Sequence, residues 1–227
     1  MIPILVARGT RKPGGVAMIA DLAARVGPML GTRVRTAFVD VVGPTPSDVL
    51  AEIGGAPAVL VPAFLARGYH VRVDIPTHVE DSGHADVTVT EALGPSSQLI
   101  HVLSDRLLEC GWRPGDSVVL AAAGTSDDGA LRDLRITAAM LSAALGERVE
   151  LAFAATGEPR VADAVTALRD GGARRVVVAS YLLADGLFQD RLRASGADAV
   201  SEPLGAHAGV LRLIANRFRR ARMAAAA

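Results

Sequence analysis

Three polar side chains, Arg8, Asp40 and His70, each follow a short apolar, β-branched run, at 2–7, 34–38 and 58–61. Ligands of a parallel sheet collect beyond the carboxyl ends of its strands. That rule brings Arg8-Gly9-Thr10-Arg11, Asp40 and the loop 62–70 to one edge. His70 offers a neutral imidazole, a good ligand for first-row divalent metals, and Asp40 offers a second ligand or a proton acceptor. Gly68 permits a tight turn or a close ligand approach just before His70. Asp74 stands four residues after His70. On a helix the two share a face, and Asp74 would orient the ring. Pro76 keeps a second reading open, in which Asp74 caps a helix starting at Ile75-Pro76.

Arg11, Lys12, Arg67 and Arg72 lie around the same edge. They read either as solvated surface charges or as a cluster for a ligand with several carboxylates, since guanidinium pairs bidentately with carboxylate. The glycines at 9, 14 and 15 hint at a phosphate cradle, but neither G-x-x-x-x-G-K-[ST] nor G-x-G-x-x-G is present. Nucleotide binding is therefore not supported. His78, His84, His101 and His207 read as helix-surface or cap residues, and no Ser/His/Asp or Cys/His triad falls on the strand edge.

These residues need a scaffold, and the scaffold is written twice. Ile4–Thr10 (ILVARGT) aligns with Val119–Thr125 (VLAAAGT), and 59–72 (VLVPAFLARGYHVR) with 177–190 (VVASYLLADGLFQD). Glu91-Ala92-Leu93-Gly94 matches Glu202-Pro203-Leu204-Gly205, and Arg106 matches Arg217. The period is too long for a solenoid unit and indicates domain duplication. Strands at 2–7, 34–38, 58–61 and 87–89 alternate with helical patterns near 15–26, 47–53, 71–81 and 96–110. Strands at 118–122, 149–153, 175–179 and 199–200 alternate with helices near 128–145, 160–169, 186–194 and 207–222. The expected architecture is α/β: two tandem domains, 1–114 and 115–227, each a small parallel sheet flanked by helices. The second copy has Ala123, Ala155 and Phe188 where the first has Arg8, Asp40 and His70, so the site is expected in the first domain.

Balanced charge, with 24 basic and 24 acidic residues, gives no global field for nucleic acid or an anionic membrane. One cysteine, Cys110, excludes an intramolecular disulfide and a thiolate metal cage. The N-terminal apolar run is too short for a signal peptide or a membrane span. A cytoplasmic protein, bound neither to nucleic acid nor to a membrane, is the expectation.

The stretch from Val61 through Pro76, VPAFLARGYHVRVDIP, resembles the signature of the sirohydrochlorin chelatases, the CbiX-type class II chelatases. Residues 4–13 resemble that family's opening strand and loop, and the second half resembles the C-terminal half of its long, fused form. The resemblance implies two chelatase-like domains and a lyase that inserts Fe2+ or Co2+ into sirohydrochlorin, toward sirohaem or cobalamin. It implies no tightly bound cofactor. The metal is a substrate held by His70 and Asp40, beside a many-carboxylate tetrapyrrole. Catalysis would fall to His70, Asp40 and Arg8, and substrate binding to Gly9, Thr10, Arg11, Arg67, Tyr69 and Arg72. Because the fusion supplies both halves, a monomer is expected.

One departure stands out. The family usually has A-H-G-[ST] in the opening loop, and this chain has Ala7-Arg8-Gly9-Thr10. Arg8 offers only donors and cannot ligate a metal. Within about 5 Å of a divalent ion, at an effective dielectric near 20, its charge costs about 7 kcal/mol before screening. Arg8 therefore reads as the holder of a substrate carboxylate. The alternative is a chelatase-like protein that binds tetrapyrrole or metal as a carrier without turnover.

Overall fold

The computed structural model describes residues 1–10 and 13–225. Strands and helices alternate throughout. The first sheet contains β1 (Ile2–Ala7), β2 (Arg35–Phe38), β3 (Ala58–Pro62) and β4 (Val87–Val89). Between and after these strands come α1 (Pro13–Leu30), α2 (Pro46–Ile53), a π-helical turn (His70–Asp74) running into α3 (Ile75–Ser82), and α4 (Ser97–Glu109). The second series comprises β5 (Ser117–Gly124), α5 (Asp128–Leu145), β6 (Val149–Thr156), α6 (Val161–Asp170), β7 (Val176–Tyr181), α7 (Leu187–Arg193), β8 (Ala199–Val200) and α8 (Ala208–Ala225).

Among the described residues the strands form two parallel sheets, ordered β2-β1-β3-β4 and β6-β5-β7-β8. Repetition of one strand order is what duplication of one unit produces. In the first sheet Ile4 lies in register with Arg35 on one side and Leu60 on the other. The second sheet repeats this with Val119 between Glu150 and Val178. Ile4, Leu5, Val6, Leu60 and Val61 are wholly buried. A parallel strand covered on both faces needs such an unbroken apolar run rather than an alternating one.

In the first unit Ile4, Val6, Leu60, Val49, Leu50 and Ile75 form one core between the sheet and α2 and α3. Thr45 caps α2: its hydroxyl accepts from Asp48 N–H, and the Asp48 carboxylate accepts from Thr45 N–H. The Thr45 hydroxyl foremost, and then the Thr45 N–H, favour the charged carboxylate and hold the Asp48 carboxyl below the usual carboxylate range. In the second unit Val119, Ala121, Val165, Val178 and Leu192 form the corresponding core with α6 and α7.

The compact units do not coincide with the repeats. One contains Met1–Leu93 together with Ala208–Ala227, and the other contains Gly94–His207. Each repeat's last helix belongs to the other compact unit. Helix α8 packs on α1 and β3, whereas α4 packs on α5 and β7. The paired arginines show the exchange atom by atom. Arg217 on α8 donates to Ala92 O at 3.0 Å, in the first Glu-x-Leu-Gly segment. Arg106 on α4 reaches Leu204 O at 3.4 Å, in the second.

Candidate active site

In the first sheet β1 has β2 on one side and β3 on the other, so the loops leaving β1 and β3 flank a crevice at the strand ends. Arg8 leaves β1, Asp40 follows β2, and His70 ends the loop after β3. Backbone bonds carry the sheet into these loops. Ala63 N–H donates to Val6 O at 2.7 Å, and Val39 N–H to Ala7 O at 3.0 Å.

The loops after β1 and β2 meet backbone to backbone. A Cβ on Gly9 would lie 2.0 Å from Asp40 O, so no larger residue fits there. The second unit repeats the junction, with a Cβ on Gly124 falling 2.0 Å from Thr156 O. A Cβ on Gly15 would collide with the Thr10 methyl at 2.3 Å. Packing therefore accounts for Gly9 and Gly15, and the phosphate-cradle reading is not needed.

Asp40 opens a tight γ-turn in which Val42 N–H donates to Asp40 O at 2.8 Å around Val41, whose φ is 70°. Positive φ on a β-branched residue is strained. Val41 is also half exposed. The Asp40 carboxylate faces Arg8, with Nε–Oδ2 at 3.8 Å and both side chains near half exposure. Such an exposed pair contributes about 0–1 kcal/mol and opens easily.

His70 lies deeper. Its Nδ1 is 2.5 Å from Asp74 Oδ2, and both side chains are about three-quarters buried. The π-helical turn brings the two together: Ile75 N–H bonds His70 O five residues back, and His70 and Asp74 lie on one side of that turn. Asp74 makes no cap bond to α3, so orienting the ring is its role. With Nδ1–H donated to the carboxylate, the Nε2 lone pair is the atom available to a metal or proton. Phe64 and Tyr69 flank the imidazole, with ring centroids 5.8 Å and 6.3 Å away.

Arg67, Tyr69 and Arg72 are exposed on the same loop and turn, and Gly9 and Thr10 begin the loop after β1. Arg11 and Lys12 lie outside the described residues. His78 bonds Ser47, His84 accepts from Asp86 N–H, and His207 lies near Asp105. Among the described residues, no three His, Cys, Asp or Glu side chains gather as a metal cluster. Any metal taken up here must draw ligands beyond His70 and one carboxylate. Sequence reasoning missed Val41 and Phe64: a valine gives no signal of positive φ, and Phe64 reads as one more apolar residue.

A family model described as CbiX matches residues 3–110 and again 117–221. The chain belongs to the CbiX family. A sirohydrochlorin cobaltochelatase of Priestia megaterium is 26% identical over 172 residues, covering 70% of this chain and 56% of the relative. This chain thus spans little more than half the length of that curated relative. Among solved structures, SirB from Bacillus subtilis with Fe3+ superposes with a TM-score of 0.84 at 19% identity, over 97% of this chain and 95% of that one. A CbiX described as the terminal enzyme for biosynthesis of siroheme in denitrifying bacteria gives 0.73 at 21% identity, over 97% and 99%. These structural likenesses show the fold.

Within this CbiX chain the two units differ in chemistry. Ala123 and Phe188, the counterparts of Arg8 and His70, pack against the second unit's core.

Proposed function

We propose that this CbiX-family chain inserts Fe2+ or Co2+ into sirohydrochlorin. The observation that carries the reading is His70, held by Asp74 with Nε2 as its available atom, on the strand-end edge of the first unit. The names of the relatives agree: one is a cobaltochelatase, one is a SirB with Fe3+, and one makes siroheme. The edge also suits a broad ring with acidic arms. Exposed Val41, Tyr69, Val73 and Val89 all follow or end strands of this unit. Exposed Arg8, Arg67 and Arg72 supply guanidinium groups for carboxylates.

Metallation exchanges one divalent cation for two ring N–H protons, so the site must supply a ligand and accept protons. His70 Nε2 performs either task, and Asp74 stabilises the imidazolium when a proton arrives. Asp40 is the second acceptor once Arg8 turns from it toward a substrate carboxylate. Clamping of the acidic arms favours the distorted ring that metal entry requires. A second reading, tetrapyrrole or metal binding without turnover, draws support from the Arg8–Asp40 pair, which puts a cation against the expected ligand.

Anaerobic insertion of Fe2+ and Co2+ into sirohydrochlorin, followed by absorbance, separates the two. The chelatase reading expects turnover that His70→Ala abolishes and that Asp74→Asn lowers about 10–100-fold. Unchanged activity in His70→Ala would remove His70 from the site. No turnover in the natural chain, with activity appearing in Arg8→His, would establish the carrier reading.

A further inference from the structure

The second unit lacks His70 and Asp40 equivalents, yet it has a cleft of about 490 Å3 at the carboxyl end of β6. Phe153, Ala155, Thr156 and Ala162 line it together with two arginines, Arg160 at the start of α6 and Arg191 on α7. Among the described lining residues none is acidic. We propose that this cleft binds a small oxyanion ligand, a carboxylate or a phosphate, between the guanidinium groups of Arg160 and Arg191.

The arginines are arranged for an external anion. Arg191 donates from Nη1 to Ala154 O at 3.2 Å and lies 5.8 Å from the centroid of the Phe188 ring. Those contacts hold its guanidinium in place, so less rotamer freedom is lost on binding. The acids nearby are taken by another arginine. Arg193, two residues along α7, pairs with Asp185, Asp190 and Glu202, and no carboxylate pairs with Arg191 among the described residues. Arg160 has only a loose contact, 3.5 Å, to a Glu158 that is 75% exposed, a partner a ligand can displace.

Comparison with the sister unit shows that Arg160 serves no capping role. Its counterpart Thr45 caps α2 through its side chain. Arg160, in the same cap position of α6, makes no side-chain cap bond. A stabilising cap of about 1 kcal/mol is absent where a cation stands at the cleft. The Arg191 counterpart is the apolar Val73. Relative to the sister unit, both arginines are changes toward positive charge, facing one cavity.

Isothermal titration of the full-length chain, without metal or tetrapyrrole, tests the site independently of any chelatase activity. Citrate and inorganic phosphate are the probes, with sodium chloride matched for ionic strength as the control. The expected result is saturable binding of either probe, with one equivalent that depends on Arg160 and Arg191, and the probe preferred there identifies carboxylate or phosphate. Arg160→Gln and Arg191→Gln should each weaken binding at least about 10-fold. Since Arg191→Gln also loses the bond to Ala154 O, Ala162→Asp is the second variant. Ala162 is exposed in the first turn of α6, where an added carboxylate favours the helix while repelling an anion. Absence of saturable binding overturns the proposal. So does binding that all three variants leave unchanged, because the anion would then sit elsewhere.

Discussion

At the scale of single residues, backbone shape constrains the site as firmly as its polar groups do. Gly9 and Val41 show this from opposite directions. Gly9 is required because a Cβ would lie 2.0 Å from Asp40 O. Gly9→Ala should therefore part the loops after β1 and β2 at a cost of about 1–3 kcal/mol, read from denaturant unfolding. Val41 is where a side chain is a burden, at φ 70° in the γ-turn beside Asp40. Strain of about 1–3 kcal/mol is released in Val41→Gly, and the unfolded chain takes back about 1 kcal/mol of entropy. The expected balance is a gain of about 1 kcal/mol, with weaker binding of the tetrapyrrole because an exposed apolar group is lost. A destabilised Val41→Gly protein would mean that the γ-turn stores less than the roughly 1 kcal/mol of entropy that glycine returns to the unfolded chain. A strained, half-exposed valine beside the candidate site fits a residue that serves the ligand. Nothing in the letters of the sequence announces it, since positive φ is legible at glycine and invisible at valine.

At the scale of elements, the strands and helices were legible because each follows a local rule. Buried parallel strands are unbroken apolar runs, and turn residues separate them from amphipathic helices. The strand-end rule likewise made Arg8, Asp40 and His70 legible as residues of one edge. Two features were not. The π-helical turn at His70–Asp74 decides between orienter and cap for Asp74, and five residues carry no period that distinguishes π from α. The exchange of α4 and α8 is tertiary: both are amphipathic helices carrying a matching arginine, Arg106 and Arg217, so either pattern fits either sheet. Arg217 is the clearest mark of that choice, with Nη1 3.0 Å from Glu91 and Nη2 3.0 Å from Ala92 O. Arg217→Met retains the buried stem and removes both bonds. A loss of about 1–2 kcal/mol is expected, seen as a lower urea midpoint with an unchanged slope. No shift in midpoint would mean that apolar packing alone seats α8 on the first unit.

For the whole molecule, the exchange separates the sequence repeat from the folding unit. The first repeat carries α4, whose Leu99, Ile100, Val102, Leu103 and Leu107 are buried in the second unit. The first sheet is instead completed by Val210, Leu211, Leu213, Ile214 and Phe218 of α8. A fragment 1–114 therefore contains a sheet face awaiting a helix and a helix awaiting a sheet. Two copies of the fragment satisfy both by trading α4, as the two repeats do within one chain. The two-repeat chain makes this trade internally, with α8 on β3 and α4 on β7. Light scattering should accordingly give the full chain as a monomer of 23.4 kDa. It should give fragment 1–114 as a dimer whose dissociation and unfolding coincide, so that stability rises with protein concentration. Leu103→Asp in the fragment, on the buried face of α4, should abolish the dimer and the cooperative transition together. A fragment that stays monomeric and folds cooperatively would show that α4 can turn back onto its own sheet. In that case connectivity in the fused chain, rather than the helix's own fit, would determine which sheet it covers.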